Sequence, residues 1–261
     1  MTAVARLLAH TWWMIGRQLR NLMREPIWIA LILIQPMIWL LLYGQLFKRV
    51  VQLPGFGTVS YITFLAPGVV VMNAFFGGTW AGMAMIQDLD RHVLERFLAT
   101  PSSRVALVLS QVVRSGLISA VQALAIMLVA LALGVRAHSG APGWLVVILT
   151  AFLVGAAIGG VSHGMALIFR KEATMIAAAN FFGLPLLFLS STLIARSSMP
   201  HWMAEVARYN PVEWGVIAAR QGVLPNPNWG SAAAHLGLLA GLTALTVGFA
   251  TWAFEVYRRS L

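Results

Sequence analysis

The sequence predicts an all-α integral membrane protein. It has six transmembrane helices, an N-terminal amphipathic interfacial helix, a cytoplasmic helical loop and short re-entrant or interfacial helices before the last span. Three observations predict it. Hydrophobic residues make up 59% and charged residues 10%, with mean hydropathy +0.81, whereas soluble domains are roughly half apolar and a quarter charged. Long uncharged runs recur along the chain between short charged or turn-rich segments, and about 20 apolar residues cross a hydrocarbon core of roughly 30 Å. The basic residues behind the formal net charge of +10 sit at the ends of those runs. That placement fits topology and anionic lipid headgroups, not nucleic acid.

Residues 1–25 read as a helix on the membrane surface. Leu8, Trp12, Ile15, Leu19 and Leu22 recur at steps of four and three, forming one stripe. Arg6, His10, Arg17, Arg20 and Arg24 fall on the opposite face, so the segment suits the headgroup boundary of an anionic leaflet. A partner-binding amphipathic helix is the alternative, disfavoured by the span that follows at once. No separate apolar core precedes a small-residue cleavage site, so no cleavable signal is expected.

Glu25-Pro26 starts a new helix, since proline suits the first helical position and glutamate the positive end of the dipole. The first span is 27–47, closed by Lys48-Arg49 and a turn over 53–57. The second runs over 61–86; Pro67-Gly68 is expected to kink it, and Gly77, Gly78 and Gly82 permit close helix contact. The third is 105–133, with Arg114 expected to snorkel from its first turns. After a connector at 134–143 comes the fourth, 144–169, with small residues at Gly155, Gly159, Gly160 and Gly164. Arg170-Lys171-Glu172 is a tight charged turn, and 174–194 is the fifth span, with Pro185 inside it. Within the irregular stretch 195–229, Ser198 and Pro200 form one helix start and Asn210-Pro211 another. The sixth span, 231–257, ends in Arg258-Arg259.

Lys and Arg counting sets the orientation. With the N-terminus inside, the inner segments hold eleven, or twelve if Arg114 joins them, and the outer segments hold six. Both termini are therefore expected in the cytoplasm. The 261 residues read as one membrane-spanning domain, with 87–104 as its cytoplasmic loop and 195–229 as its outer segment.

Residues 87–104, reading QDLDRHVLERFLATPSSR, hold three of the eight acidic residues. Asp88 and Asp90 suit the start of a short helix and Arg96 its end, matching the dipole. Val93, Leu94, Phe97 and Leu98 make its apolar side, Arg91, His92, Glu95 and Arg96 its polar side, and Thr100-Pro101 stops it. From composition alone, a lever for a cytosolic partner and an ordinary solvated loop are equally open.

The run from Asp88 through Leu94-Glu95-Arg96-Phe97-Leu98-Ala99-Thr100-Pro101 to Arg104 resembles the loop between the second and third spans of ATP-binding-cassette (ABC) transporter permeases of the type-2 exporter family. Arg24-Glu25-Pro26 with Pro36, Gly44 and Phe47 agrees, as does the stretch from Met199-Pro200-His201-Trp202 through Asn210-Pro211 to Arg220. The likeness covers essentially the whole chain in order. It departs at Ala195-Arg196, where relatives carry an aromatic-proline pair. The resemblance implies a coupling helix seated in a groove of an ATPase subunit, with Asp88, Asp90, Arg91, Glu95, Arg96, Thr100, Pro101 and Arg104 as its contact residues. Arg170, Lys171 and Glu172 would give a second cytoplasmic contact, and Arg17, Arg20, Arg24 and Glu25 the interfacial helix. It further implies two ABC ATPase subunits, a second permease copy or homologue, membrane lipid around the assembly, and the cytoplasmic (inner) membrane of a prokaryote.

No covalent chemistry is expected of this chain. It has no GxxxxGK[ST] loop, and its two lysines, Lys48 and Lys171, follow Phe47 and Arg170; ATP and Mg would be bound by the partner. With no cysteine there is no disulfide, thiolate metal site or cysteine nucleophile, and no metal site is expected. Gly160-Val161-Ser162-His163-Gly164 spells GxSxG, but the strand-to-helix elbow that arms such a serine is missing, and His235 is placed at the other membrane face. Small-residue packing explains the string better.

The remaining candidates are polar residues inside spans. Gln111, Ser115, Ser119 and Gln122 share one face of the third span with Arg114 beside it, while Asn73, Thr79, His163 and Asn180 are scattered elsewhere. Gln111, Ser115, Ser119, Gln122, Asn73 and Asn180 are the candidate pathway lining, with interhelical hydrogen bonding as the competing role. No Asp or Glu lies inside a span, which argues against a proton-coupled carrier. The expected function is the permease of an ATP-driven exporter of an amphipathic drug or lipid-like substrate. A polysaccharide or glycolipid exporter is the alternative, and a stand-alone channel or membrane-enzyme scaffold a more remote one.

Overall fold

A computed structural model describes residues 26–46, 60–90, 104–135 and 138–259. All regular elements among them are helices: α1 (Pro26–Leu46), α2 (Tyr61–Asp90), α3 (Arg104–Ala132), α4 (Gly140–Phe169), α5 (Glu172–Phe188), a 3-10 turn (Arg196–Ser198), α6 (His201–Ala207), α7 (Pro211–Gln221) and α8 (Trp229–Arg259). Four of these, α2, α3, α4 and α8, are long and apolar enough to cross a membrane. Helix α5, at 17 residues, is apolar but shorter, and α1 is a 21-residue helix with Pro36 inside it.

Helix α4 is the centre of the bundle, packing on α2, α3 and α8. Its sequence explains this: glycine on several sides lets neighbouring backbones approach where a side chain would hold them apart. A Cβ on Gly78 of α2 would stand 3.0 Å from the Gly155 carbonyl oxygen and 3.0 Å from the Gly159 nitrogen. On other sides of α4, Gly159 faces Ser115 of α3, and Gly160 faces Thr246 of α8.

Buried apolar residues form two clusters. One joins Leu65 and Val69 of α2, Ile126 and Met127 of α3, Val147 of α4 and Val216 of α7. The other joins Met85 and Ile86 of α2 to Val108 and Val112 of α3, Leu167 of α4 and Phe254 of α8. Between them, along α2 and α3, lies a polar stretch. Large apolar side chains on the outside, among them Leu128, Phe181, Leu245 and Trp252, are exposed, as a lipid solvent requires.

Several boundaries differ from the sequence reading. No Pro or Gly interrupts 83–90, so α2 continues through Asp90, and Asp88 and Asp90 end a long helix instead of starting a short one. The fifth helix stops at Phe188, not Ile194: the residues after it leave the helix, with the Leu189 N–H bonded to the Pro185 carbonyl at 2.8 Å. Helix α4 begins at Gly140, before the expected Trp144, because Pro142 is tolerated in a first turn where its missing N–H has no helical partner. Ser198 belongs to the 3-10 turn and caps nothing; Pro200 is the residue before α6. Asn210 does cap α7, its side chain accepting the Val212 N–H at 2.9 Å with Pro211 next in line.

Candidate functional site

The polar face of α3 opens on a cavity of about 600 Å3. Gln111, Arg114, Ser115, Ser119 and Gln122 come from α3, Asn73, Phe76, Gly77 and Trp80 from α2, Gln35 from α1 and His163 from α4. The step of four and three that put Gln111, Ser115, Ser119 and Gln122 on one face therefore does gather them. It also gathers two residues that looked scattered: the Asn73 amide donates to the Gln122 side-chain oxygen at 2.9 Å, and His163 Nε2 lies 3.4 Å from the Ser115 hydroxyl. Asn180 is elsewhere, exposed on α5 and bonded to the Ile176 carbonyl at 3.0 Å. Arg114, expected beside that face, also lines the cavity.

The polar wall of the cavity is held by bonds between and within helices: the Asn73–Gln122 bond ties α2 to α3. Ser115 Oγ donates to the Gln111 carbonyl at 3.1 Å. Ser119 Oγ and His163 Nδ1 are buried without a hydrogen-bond partner among the described residues. Polar groups left open in an apolar surrounding favour water or a polar ligand in the adjoining space.

Ser162 behaves as packing glue. Its hydroxyl donates to the Thr79 carbonyl at 2.6 Å and accepts from the Gly82 N–H at 2.9 Å, joining α4 to α2. His235 Nδ1 lies 2.7 Å from the Ser231 carbonyl within α8. No nucleophile–base pair links Ser162 to His235. Among the described residues, no group of three His, Cys, Asp or Glu side chains could hold a metal.

A second polar cluster escaped the sequence reading. Glu213 of α7 is 0% exposed, and its Oε2 accepts the Ser191 N–H at 2.6 Å. Arg220, seven residues on and so about two turns along the same face, donates to the Ser191 hydroxyl at 2.8 Å and to the Ser191 carbonyl, and lies 3.7 Å over the Phe64 ring. Asn210 donates to the Leu186 and Leu189 carbonyls at 2.6 and 2.8 Å. The polar face of α7 thus satisfies the chain where α5 comes undone. The signal in the sequence is an acid and a base seven apart behind an Asn-Pro cap, Glu213 and Arg220 after Asn210-Pro211.

The contact residues expected from the loop are unevenly placed. Asp88 sits in the last turn of α2. Asp90 and Arg104 are the terminal residues of α2 and α3, and their side chains lie outside the described residues, as do Arg91, Glu95, Arg96, Thr100 and Pro101 entirely. The same holds for Arg17, Arg20, Arg24 and Glu25. The Arg170-Lys171-Glu172 turn is described and exposed: Arg170 adopts a left-handed φ of 55°, caps α4 and lies 4.8 Å over the Tyr257 ring.

Comparison with known proteins decides the family. The profile of the ABC-2 type transporter family matches residues 9–224. The chain belongs to that family. A putative transport permease, ycf38, of Cyanophora paradoxa is 28% identical over 211 residues, covering 79% of this chain and 71% of the relative. The daunorubicin resistance ABC transporter permease protein DrrB1 of Streptomyces coeruleorubidus is 24% identical over 257 residues, covering 98% and 87%. As an ABC-2 permease the chain is a multi-pass membrane transport subunit and not an enzyme, and permeases of this family work with ABC ATPase partners.

Proposed function

We propose that the chain is the membrane subunit of an ATP-driven exporter that moves an amphipathic drug or lipid-like substrate out of the cytoplasm or inner leaflet. The observation that carries the reading is the cavity itself: amide, hydroxyl and guanidinium groups on α3 face Phe76 and Trp80 on α2, a mixture suited to a molecule with both polar and apolar parts. The whole-length likeness to a drug-resistance permease supports the same direction.

In this reading six spans cross the membrane, with both termini cytoplasmic in a prokaryotic inner membrane. Two copies of the chain, or the chain and a homologue, pair with two ATPase subunits. ATP binding closes the ATPases, pushes the loop 87–104 and rocks α2 and α3, the two helices joined by that loop and lining the cavity. The work is delivered by contact, and a ligand moves only because the two conformations hold it differently.

Mild extraction of the tagged chain tests the partnership: a co-purifying ATPase is expected, and its absence from a transport-competent preparation contradicts the reading. Reconstituted with that ATPase, wild type is expected to export a fluorescent amphipath on ATP addition.

A further inference from the structure

Arg114 is ten residues into α3, about 15 Å along the axis from Arg104. It lines the cavity, and the Asp88 carboxylate of α2 acts on its guanidinium electrostatically. An arginine cannot shed its proton to escape this position, and a cation at such a depth marks a path or a ligand site. The wall beside it offers Gln111, Gln122 and Asn73, whose amides carry N–H donors. Asn73 and Gln122 use one of these bonds on each other. Phe76 and Trp80 supply an apolar wall against α2.

We infer that this cavity binds the acidic head group of an amphipathic ligand, with Arg114 as its anchor. A phosphate monoester or carboxylate accepts paired N–H bonds from the planar guanidinium, amides complete the oxygen shell, and the apolar body lies along Phe76 and Trp80. The inference rests on the export reading above and narrows its substrate class. Two sources offer this chemistry: a transported single-chain amphipath and the head group of a resident anionic lipid.

The test uses the full chain in phosphatidylcholine nanodiscs, with 1-oleoyl lysophosphatidic acid as probe and monooleoylglycerol, the same tail without phosphate, as reference. Wild type is expected to prefer the phosphate by about tenfold or more, as one charge-assisted pair allows. Arg114→Lys, which keeps the charge but not the paired N–H geometry, should retain part of that preference and Arg114→Gln should lose it, both eluting as folded protein. Repeating the titration with phosphatidylglycerol in the disc assigns the source: competition marks a lipid head group, no competition a transported amphipath. Equal binding of the two probes by wild type, or an unchanged preference in Arg114→Gln, overturns the inference. Export of a neutral fluorescent amphipath by the complex reads the underlying function separately. If it fails in wild type, the export reading falls; if it persists while the phosphate preference is absent, only the head-group inference falls.

Discussion

Glu213 and Arg220 show what one buried charge does when its partners are backbone groups. The carboxylate takes the Ser191 N–H and the guanidinium binds Ser191 from its hydroxyl side and its carbonyl. Removing one charge leaves the other buried with less compensation, a loss of about 3 kcal/mol or more. Glu213→Ala should therefore lower the thermal midpoint of the detergent-purified protein strongly, whereas Glu213→Gln, which still accepts the Ser191 N–H, should lower it less. Equal midpoints for both variants and wild type would remove the clamp from the account. Ser162 makes a contrasting case. Ser162→Ala deletes two bonds to α2, each worth about 1 kcal/mol in a membrane helix pair. A modest loss of stability is expected, with no loss of any catalytic turnover.

Among the elements, α4 depends most on its sequence. The glycine spacing that promised close packing does produce it, because a residue without Cβ is the shortest way to bring two backbones together. Gly155→Val is expected to misassemble the bundle, since its Cβ alone would approach Ser119 Cβ to 2.7 Å and overpacking costs about 1–3 kcal/mol even where neighbours yield. Limited proteolysis in detergent should show faster cleavage than in Gly237→Ala of α8, where a Cβ meets nothing within 4 Å; equal cleavage would contradict the packing. Helix α5 was harder to read. Its uncharged run continues past Phe188 through Leu189-Ser190-Ser191-Thr192-Leu193-Ile194, so the absence of charge gave no reason to stop it. What stops it is α7, whose cap Asn210 donates to the Leu186 and Leu189 carbonyls and whose Glu213 accepts the Ser191 N–H. Non-helical backbone is tolerated in such a setting only when protein satisfies it. That partner is distant in sequence, and periodicity does not report it. The polar cavity was half legible for a related reason. A face on one helix follows from spacing, as with Gln111, Ser115, Ser119 and Gln122, but Asn73 and His163 joined it only through helix pairing.

At the scale of the whole molecule, the proposed assembly turns on sidedness. By the positive-inside rule, eleven Lys and Arg residues in the segments assigned inside against six assigned outside predict a cytoplasmic loop 87–104. A single cysteine placed at His92 in this cysteine-free chain should react with a membrane-impermeant maleimide in inverted vesicles and not in intact cells; the reverse pattern would reject the topology. The central claim is that this loop passes force from a separate ATPase to α2 and α3. The most direct measurement is made on the reconstituted complex carrying Glu95→Lys and Arg96→Glu together, reading ATP hydrolysis and export in the same vesicles. The account predicts that hydrolysis continues while export falls at least about tenfold, the scale of one lost charge-assisted contact. Export at the wild-type rate, with the double variant folded and bound to its ATPase, would contradict it.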